Sequence, residues 1–479
     1  MAVTRRKSTR ARHRSQAVGP GQLDTRPGAP YTAPSLPPPI SSPSLPALGD
    51  RPLARHQLAN GLKIVLHRDP TLPLVAVNLW YHVGSKNERP GRTGFAHLFE
   101  HMLFQGSANV GTNDHFRHLQ EVGGVANGST WYDRTNYYET LPSRHLDLAL
   151  WLESDRMGFL LPGLTAEKLE NQRQVVMNER RQRVDNQPYG RAMERLFELL
   201  FPEDHPYRWP VIGRMEDIEA ATLDDVRAFF STFYGPANAV LALAGDFEPA
   251  AALAAIDRWF GGLPASPPVP RRRAPLPPLA RAVRDSMPDR VQLRRLYLAF
   301  RTEPFGSPGW WTAAVTANLL TDGKSSPLVH DLVVDRQLAQ DVSAYVYPTE
   351  EVGVFLLVAT ARPGVDIERL AERIREHLDG LAAPAASPSA PGWLAALDSE
   401  LERARRRTLA GIYSELQTLD HRADLLSQYT TFFDAPERAW SEAAAYQQVD
   451  IAAVRAFAAA RLGAPNSARL VVEPAGERA

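Results

Sequence analysis

Apolar residues recur along the chain in two periods, and the change from one to the other marks out strands and helices. In His56 to His67, HQLANGLKIVLH, strand-like runs flank Asn60-Gly61, the dipeptide of a tight hairpin turn. Leu74 to Val83 alternates weakly and predicts a further strand. From Gly94 to Gly106 the period lengthens: Phe95, Leu98, Phe99, Met102 and Leu103 share one helical face. Helical spacing returns at Asp114 to Glu121, Leu146 to Phe159, Glu167 to Arg183 and Asp224 to Tyr234. His115 and His118, three apart on the second of these, read as part of a solvated face. Thr135 to Glu139 is β-branched and aromatic strand material, and Ala239 to Ala244 reads as a buried strand.

The same order of elements occurs twice. Val226-Arg-Ala-Phe229 matches Val454-Arg-Ala-Phe457, and Gly235-Pro-Ala-Asn238 then matches Gly463-Ala-Pro-Asn466 without a gap. The strands that follow each also correspond, so the match runs through helix, turn and strand and points to duplication. Between the copies lies Leu263 to Pro278, whose proline content is that of a semi-rigid spacer. A chain of 479 residues is also too long for one ordinary core. The expected division is a tail over 1–55, a first domain over 56–263, a linker over 264–285 and a second domain over 286–479.

Composition narrows the function. Basic and acidic residues balance at 54 each, which leaves no global field to attract nucleic acid. There is no cysteine, which excludes disulfides, a thiol nucleophile and thiolate metal sites. No apolar run approaches the roughly 20 residues of a membrane helix. At the start, six basic residues precede the first acid, Asp24, and ten prolines follow from Pro20 to Pro52. That composition predicts disorder, and no apolar stretch follows the basic residues to make an export signal. The compartment stays open on this reading, cytoplasmic by default with periplasmic as the alternative. A second proline-rich stretch, Ala383 to Pro391, reads as a surface loop.

Candidate chemistry sits in Gly94-Phe-Ala-His97-Leu-Phe-Glu100-His101-Met-Leu-Phe-Gln-Gly106. Histidines four apart lie one above the other on a helix, so two ring nitrogens can converge on one metal ion. Glu100 borders the same face, where a carboxylate can take a proton from an attacking water. This H-x-x-E-H order reverses that of the H-E-x-x-H zinc helix. Read alone, it also fits an amphipathic helix with two histidines at its edge. The second copy decides between them: in Gly309 to Leu320, Thr312, Val315 and Thr316 stand where His97, Glu100 and His101 stand. The scaffold is repeated and the metal-binding residues are not.

With these motifs the chain resembles the pitrilysin/insulinase family of zinc peptidases, the inverzincins, and especially its shorter branch of processing peptidases and bacterial two-subunit enzymes. The resemblance runs from about His56 to Pro474. It includes Asn127-Gly-Ser-Thr-Trp-Tyr-Asp-Arg-Thr-Asn-Tyr-Tyr138, similar to the family's substrate-strand segment, and Gln174-Val-Val-Met-Asn-Glu179-Arg-Arg, similar to its distal ligand helix. It implies an α+β fold of two homologous domains, each a mixed, mostly antiparallel sheet with helices packed on one face. It implies one Zn2+ held by His97, His101 and Glu179, Glu100 as catalytic base, and peptide substrates bound at Asn127, Gly128 and Ser129. From the residues alone, Glu179 is an ordinary acid on a charged helix, and Asn127-Gly128 is equally a turn. Where family members often carry a second glutamate on the distal helix, this chain has Gln172, with Glu170 nearby and not counted as a ligand.

One departure bears on partners. Active members supply an arginine and a tyrosine seven apart from the second half, in the pattern Leu-Arg-x-x-x-x-Leu-x-Tyr. Here the matching run, Leu332 to Gln340, has Val333 and Gln340 in those places. Valine has no donor and glutamine has no phenol, so the expectation is a heterodimer whose homologous subunit supplies the Arg/Tyr pair. The alternative is a non-catalytic peptide-binding or structural subunit of the same fold.

Overall fold

The computed structural model describes residues 52–476, apart from 267–268, 270, 272 and 384–391. The proline-rich start up to residue 51 and most of the insert expected at 383–391 fall outside these residues. The fold begins at β1 (Leu53–Gln57), three residues earlier than the sequence suggests. The proline-rich approach masks this strand, although Leu53 and Ala54 pack against the cores. β1 pairs antiparallel with β2 (Lys63–Arg68) across the Asn60-Gly61 turn. Gly61 has φ 97°, a conformation that favours glycine.

The first sheet also holds β3 (Leu74–Tyr81), β4 (Val125–Thr130), β5 (Thr135–Pro142) and β6 (Ala239–Gly245), in the order β1-β2-β6-β3-β5-β4. Its helices are α1 (Phe95–Met102), α2 (Asp114–Glu121), α3 (Leu146–Gly163), α4 (Ala166–Arg180), α5 (Ala192–Leu200), α6 (Met215–Glu219), α7 (Leu223–Phe233) and α8 (Pro249–Phe260). The second sheet comprises β7 (Val283–Asp289), β8 (Arg295–Thr302), β9 (Ala339–Tyr347), β10 (Gly353–Ala361) and β11 (Ser467–Pro474), in the order β7-β11-β8-β10-β9. With it go α9 (Pro308–Thr321), α10 (Pro327–Val329), α11 (Ile367–Ala382), α12 (Leu397–Glu415), α13 (Leu419–Phe433), α14 (Arg438–Gln447) and α15 (Ile451–Arg461). Without β1, the two strand orders superpose term by term, and each sheet has one parallel pair, β2 with β6 and β7 with β11. The repeated segments noted in the sequence are α7 leading into β6 and α15 leading into β11.

The central strands read as almost unbroken apolar runs because both faces of each sheet are covered. On one face of the first sheet, Ile64, Val75, Val77, Leu79, Leu241 and Leu243 meet the helices of their own half. On the other, Val65, Ala76, Val240, Ala242 and Ala244 join the core of the second half, where α13 lies across β3 and β6. The second sheet is covered reciprocally: Ala299, Leu356, Leu470 and Val472 pack against Leu196, Phe197 and Leu200 of α5. The halves thus exchange a helix, and each large apolar side chain buried there is worth roughly 1.5–3 kcal/mol.

Polar contacts fix this arrangement. Asp424 of α13 accepts hydrogen bonds from Trp80 Nε1 (2.7 Å), Asn136 Nδ2 (2.9 Å) and Asn78 Nδ2 (3.2 Å) of the first sheet. Glu350 of the second half pairs with His82 Nε2 at 2.7 Å and with Lys86. Burial opposes ionisation of Glu350, but the hydrogen bonds from His82 and Lys86 prevail and bring its pKa down to about 2. A depressed carboxylate stabilises the fold above its unfolded value and loses that effect as the pH falls through the folded one. Glu350→Gln should therefore melt below wild type at neutral pH, with the gap closing between pH about 4.5 and about 2. A gap constant through that window in thermal melts would deny Glu350 this role.

Candidate metal centre

α1 is built to present three polar residues above an apolar face. Phe95, Leu98, Phe99 and Met102 are buried, at the i, i+3, i+4, i+7 spacing of a packed stripe. Its N-terminus is held by Glu88, whose carboxylate accepts the backbone N–H of Gly94 (2.9 Å) and of Ala96 (2.8 Å). Its two oxygens satisfy backbone donors that the first turn of a helix leaves free, in a place where burial pushes the Glu88 carboxyl well above the usual carboxylate range. Gly94 itself has φ 85°, and a Cβ on it would come within 2.7 Å of the Ile212 carbonyl oxygen. Glu88 escaped the sequence reading because it is seven residues ahead of the helix, outside any capping-box spacing.

His97 and His101 point away from that stripe, with ring centroids 4.8 Å apart. α4 packs beside α1 and brings Glu179 to them. Glu179 Oε2 lies 3.7 Å from His97 Nε2 and 3.3 Å from His101 Nε2. One ligand atom from each of the three residues falls within 4.8 Å of the others. Burial, then the neighbouring His101, lowers the His97 pKa to about 4, so this ring is neutral, as a metal ligand must be. A hydrogen bond with His101 is the main influence lowering the pKa of Glu179.

A second group, His115, Glu139 and Glu153, converges as closely, and comparing the two tests which one suits a metal ion. There the Arg156 guanidinium already bonds both carboxylates, with Nε 2.7 Å from Glu153 Oε2 and Nη2 3.3 Å from Glu139 Oε1. The cation is built in, and the cluster is an internal salt bridge. His115 is therefore not on a solvated face: it is 3% exposed, because α2 turns His115 and Leu119 inward. His118 lies half-buried beside Trp151. At His97, His101 and Glu179 the arginine in contact, Arg183, meets only Glu179 Oε1, at 2.7 Å, and leaves Oε2 to face both imidazoles. Two imidazoles and one carboxylate there fit a zinc ion with a coordination position left open.

Glu100 is mostly buried beside the histidines, where burial raises its pKa against the hydrogen bond it accepts from Thr130 Oγ1 at 2.6 Å. Thr130 ends β4, the edge strand whose partner in the sheet, among the described residues, is β5 alone. Asn127 and Gly128 lie within this strand, so the turn reading does not hold; the turn is at 131–134. Strand alternation sends Gly128 and Thr130 toward Glu100, and Ser129 to the reverse face. There the Ser129 hydroxyl donates to Asn136 Oδ1 at 2.6 Å, while Ser129 still lines the cavity described next. Asn127 is exposed, and its Oδ1 accepts the Gly128 N–H at 2.9 Å.

A cavity of about 620 Å³ joins these residues, with β4 on one side and α4 on the other. Gln172 is buried and lines it, whereas Glu170 is exposed and pairs with Arg173. Gly128 lines it closely, since a Cβ there would stand 3.0 Å from Glu100 Cγ and 3.2 Å from its Oε1. Gly128→Ala should therefore displace the Glu100 carboxylate by a few tenths of an ångström at unchanged zinc content, a shift that a crystal structure of the variant reads. A Glu100 found in its wild-type place would mean that the strand does not set its position.

In the second half the corresponding place is filled. Thr312 donates to the Pro308 carbonyl (3.0 Å) and Thr316 to that of Thr312 (2.7 Å), both buried within α9. Val333 is half-buried, and Gln340 is exposed on β9.

Residues 63–205 match the family model described as Insulinase (Peptidase family M16), and residues 220–388 match the one described as Peptidase M16 inactive domain. The chain is 30% identical to zinc protease PqqE of Helicobacter pylori over 385 residues, 79% of this chain and 84% of that protein. It belongs to the insulinase family, M16. An uncharacterised zinc protease of Bacillus subtilis, YmxG, is 25% identical over 68% of this chain and 78% of its own length. Among solved structures, a protease from Helicobacter pylori superposes with TM-score 0.81 at 26% identity, covering 88% of this chain and all of that one. A peptidase M16 inactive domain from Pseudomonas fluorescens shares the fold, with TM-score 0.77 at 18% identity over 89% of this chain and 99% of that one. Both proteins of this M16 family named here from sequence are called zinc proteases. No helix among the described residues is long and apolar enough to cross a membrane.

Proposed function

We propose that this M16 chain is a zinc metalloendopeptidase, the metal-carrying subunit of a heterodimer, acting on small or unfolded peptides in an enclosed chamber. The observation that carries this reading is the meeting of His97, His101 and Glu179 beside Glu100 and next to a free sheet edge. His97, His101 and Glu179 would hold one zinc ion, which when bound supplies Lewis acidity and draws the pKa of a water toward neutrality. Glu100, steadied by Thr130, takes the proton of the attacking water and returns it to the departing amine. β4 offers its open edge to the substrate backbone, which gives affinity with little dependence on sequence. Asn127, exposed on that edge, presents its side-chain amide to the peptide.

With Val333 and Gln340 where an arginine and a tyrosine belong, oxyanion stabilisation falls to a homologous partner. The test is cleavage of a quenched peptide by the chain alone and with the paralogue expressed beside it. The expected result is weak cleavage alone, on the order of 100-fold more with the partner, and loss of both with a chelator. Full activity of the isolated chain would remove the partner from the account, and chelator-insensitive cleavage would remove the zinc.

A further inference from the structure

The end of α4 carries three arginines that the fold uses differently. Arg180 is buried and bonds Glu194 (2.6 Å) and the Gly213 carbonyl (2.7 Å). Arg181 is bonded to Asn178 at 2.7 Å. Arg183 lies within the π-helical turn Arg181–Asp185, which continues α4 from Arg180. Such turns change which side chains face a site. Arg183 lines the metal cavity, and its side chain is 77% exposed. One guanidinium nitrogen, Nη1, meets Glu179 Oε1 at 2.7 Å. Its remaining donors have no partner among the described residues.

The rest of the cavity lacks charge that could serve the same purpose. Its two carboxylates are assigned, Glu179 to the ligand set and Glu100 to proton transfer and Thr130. Gln172 and Gln105 on its wall are neutral. With a divalent cation in place the cavity is net positive, and among the described residues Arg183 is the one Arg or Lys lining it. Because α1 packs on both β4 and α4, a peptide laid on β4 has Arg183 on the opposite wall.

We infer that Arg183 is a specificity-determining residue that receives an acidic side chain, Asp or Glu, of the substrate beside the scissile bond. A guanidinium fork keeps one edge on Glu179 and offers the other to a second carboxylate in the planar geometry it favours. The inference rests on the peptidase reading and adds the substrate class.

The test uses the zinc-loaded Glu100→Gln protein, with its partner where one co-purifies, as a trap that binds without cleaving. Fluorescent peptides, acetylated and C-terminally amidated, differ only in carrying Glu, Gln or Lys at positions flanking the bond that wild type cleaves in the Gln parent. At one such position Glu should bind on the order of tenfold tighter than Lys, with the ratio shrinking as salt rises. Adding Arg183→Gln should abolish that ratio and Arg183→Glu should invert it, with zinc content measured in each. Equal weakening of all three peptides, or lost zinc with an unchanged ratio, would show that Arg183 only buttresses Glu179 and overturn the proposal. If zinc-loaded wild type cleaves no parent peptide, the peptidase reading itself fails and takes this inference with it.

Discussion

Glu100→Gln should reduce peptide turnover by about 10²–10⁴ while leaving one zinc ion per chain and an unchanged melting temperature. The size follows from the role: general acid–base catalysis depends on a group that can hold and release a proton, and an amide cannot. The unchanged fold follows from the geometry. Glutamine has the same shape, and its carbonyl oxygen can accept the Thr130 hydroxyl that Glu100 Oε2 now accepts at 2.6 Å. The metal should stay because the ligand atoms belong to His97, His101 and Glu179. Turnover and zinc content are to be measured on the same preparation. A peptide-holding subunit with structural zinc would lose nothing in this variant, so retained function there would favour that reading.

The second large effect is expected at Glu179. Glu179→Gln replaces the anionic member of the ligand set with a weak neutral donor, leaving two imidazoles one helical turn apart. Loss of outer partners of metal ligands costs about 10–100-fold in affinity, and loss of a ligand should exceed that. Zinc bound to the folded state alone stabilises it by about 2.7 kcal/mol at 100 times its Kd. Wild type should therefore melt higher with zinc than with chelator, and Glu179→Gln should show little difference. Titration of zinc against a fluorescent chelator checks the affinity and calorimetry the melting point. An affinity equal to wild type would exclude Glu179 from the set.

Much of this centre was legible in the chain because helices enforce spacing. His97, Glu100 and His101 fall together by period alone, and their replacement by Thr312, Val315 and Thr316 in the second copy set them apart from packing residues. Glu179 was different: nothing local marks an acid on a charged helix, and only its tertiary approach to α1 brings it within 3.7 Å of His97. The weak alternation of Leu74 to Val83 reflects the exchange of α13 between halves, which buries both faces of β3. His115 was misplaced for a related reason, since Glu139 and Arg156, which accompany it inside, are distant in sequence.

The most direct measurement is X-ray absorption at the zinc edge on the purified protein at one equivalent of metal. The expected spectrum shows nitrogen and oxygen neighbours only, with the scattering of two imidazoles, and this signature is lost in Glu179→Gln. A metal-free protein after zinc loading, or a zinc environment unchanged by that substitution, would contradict the account.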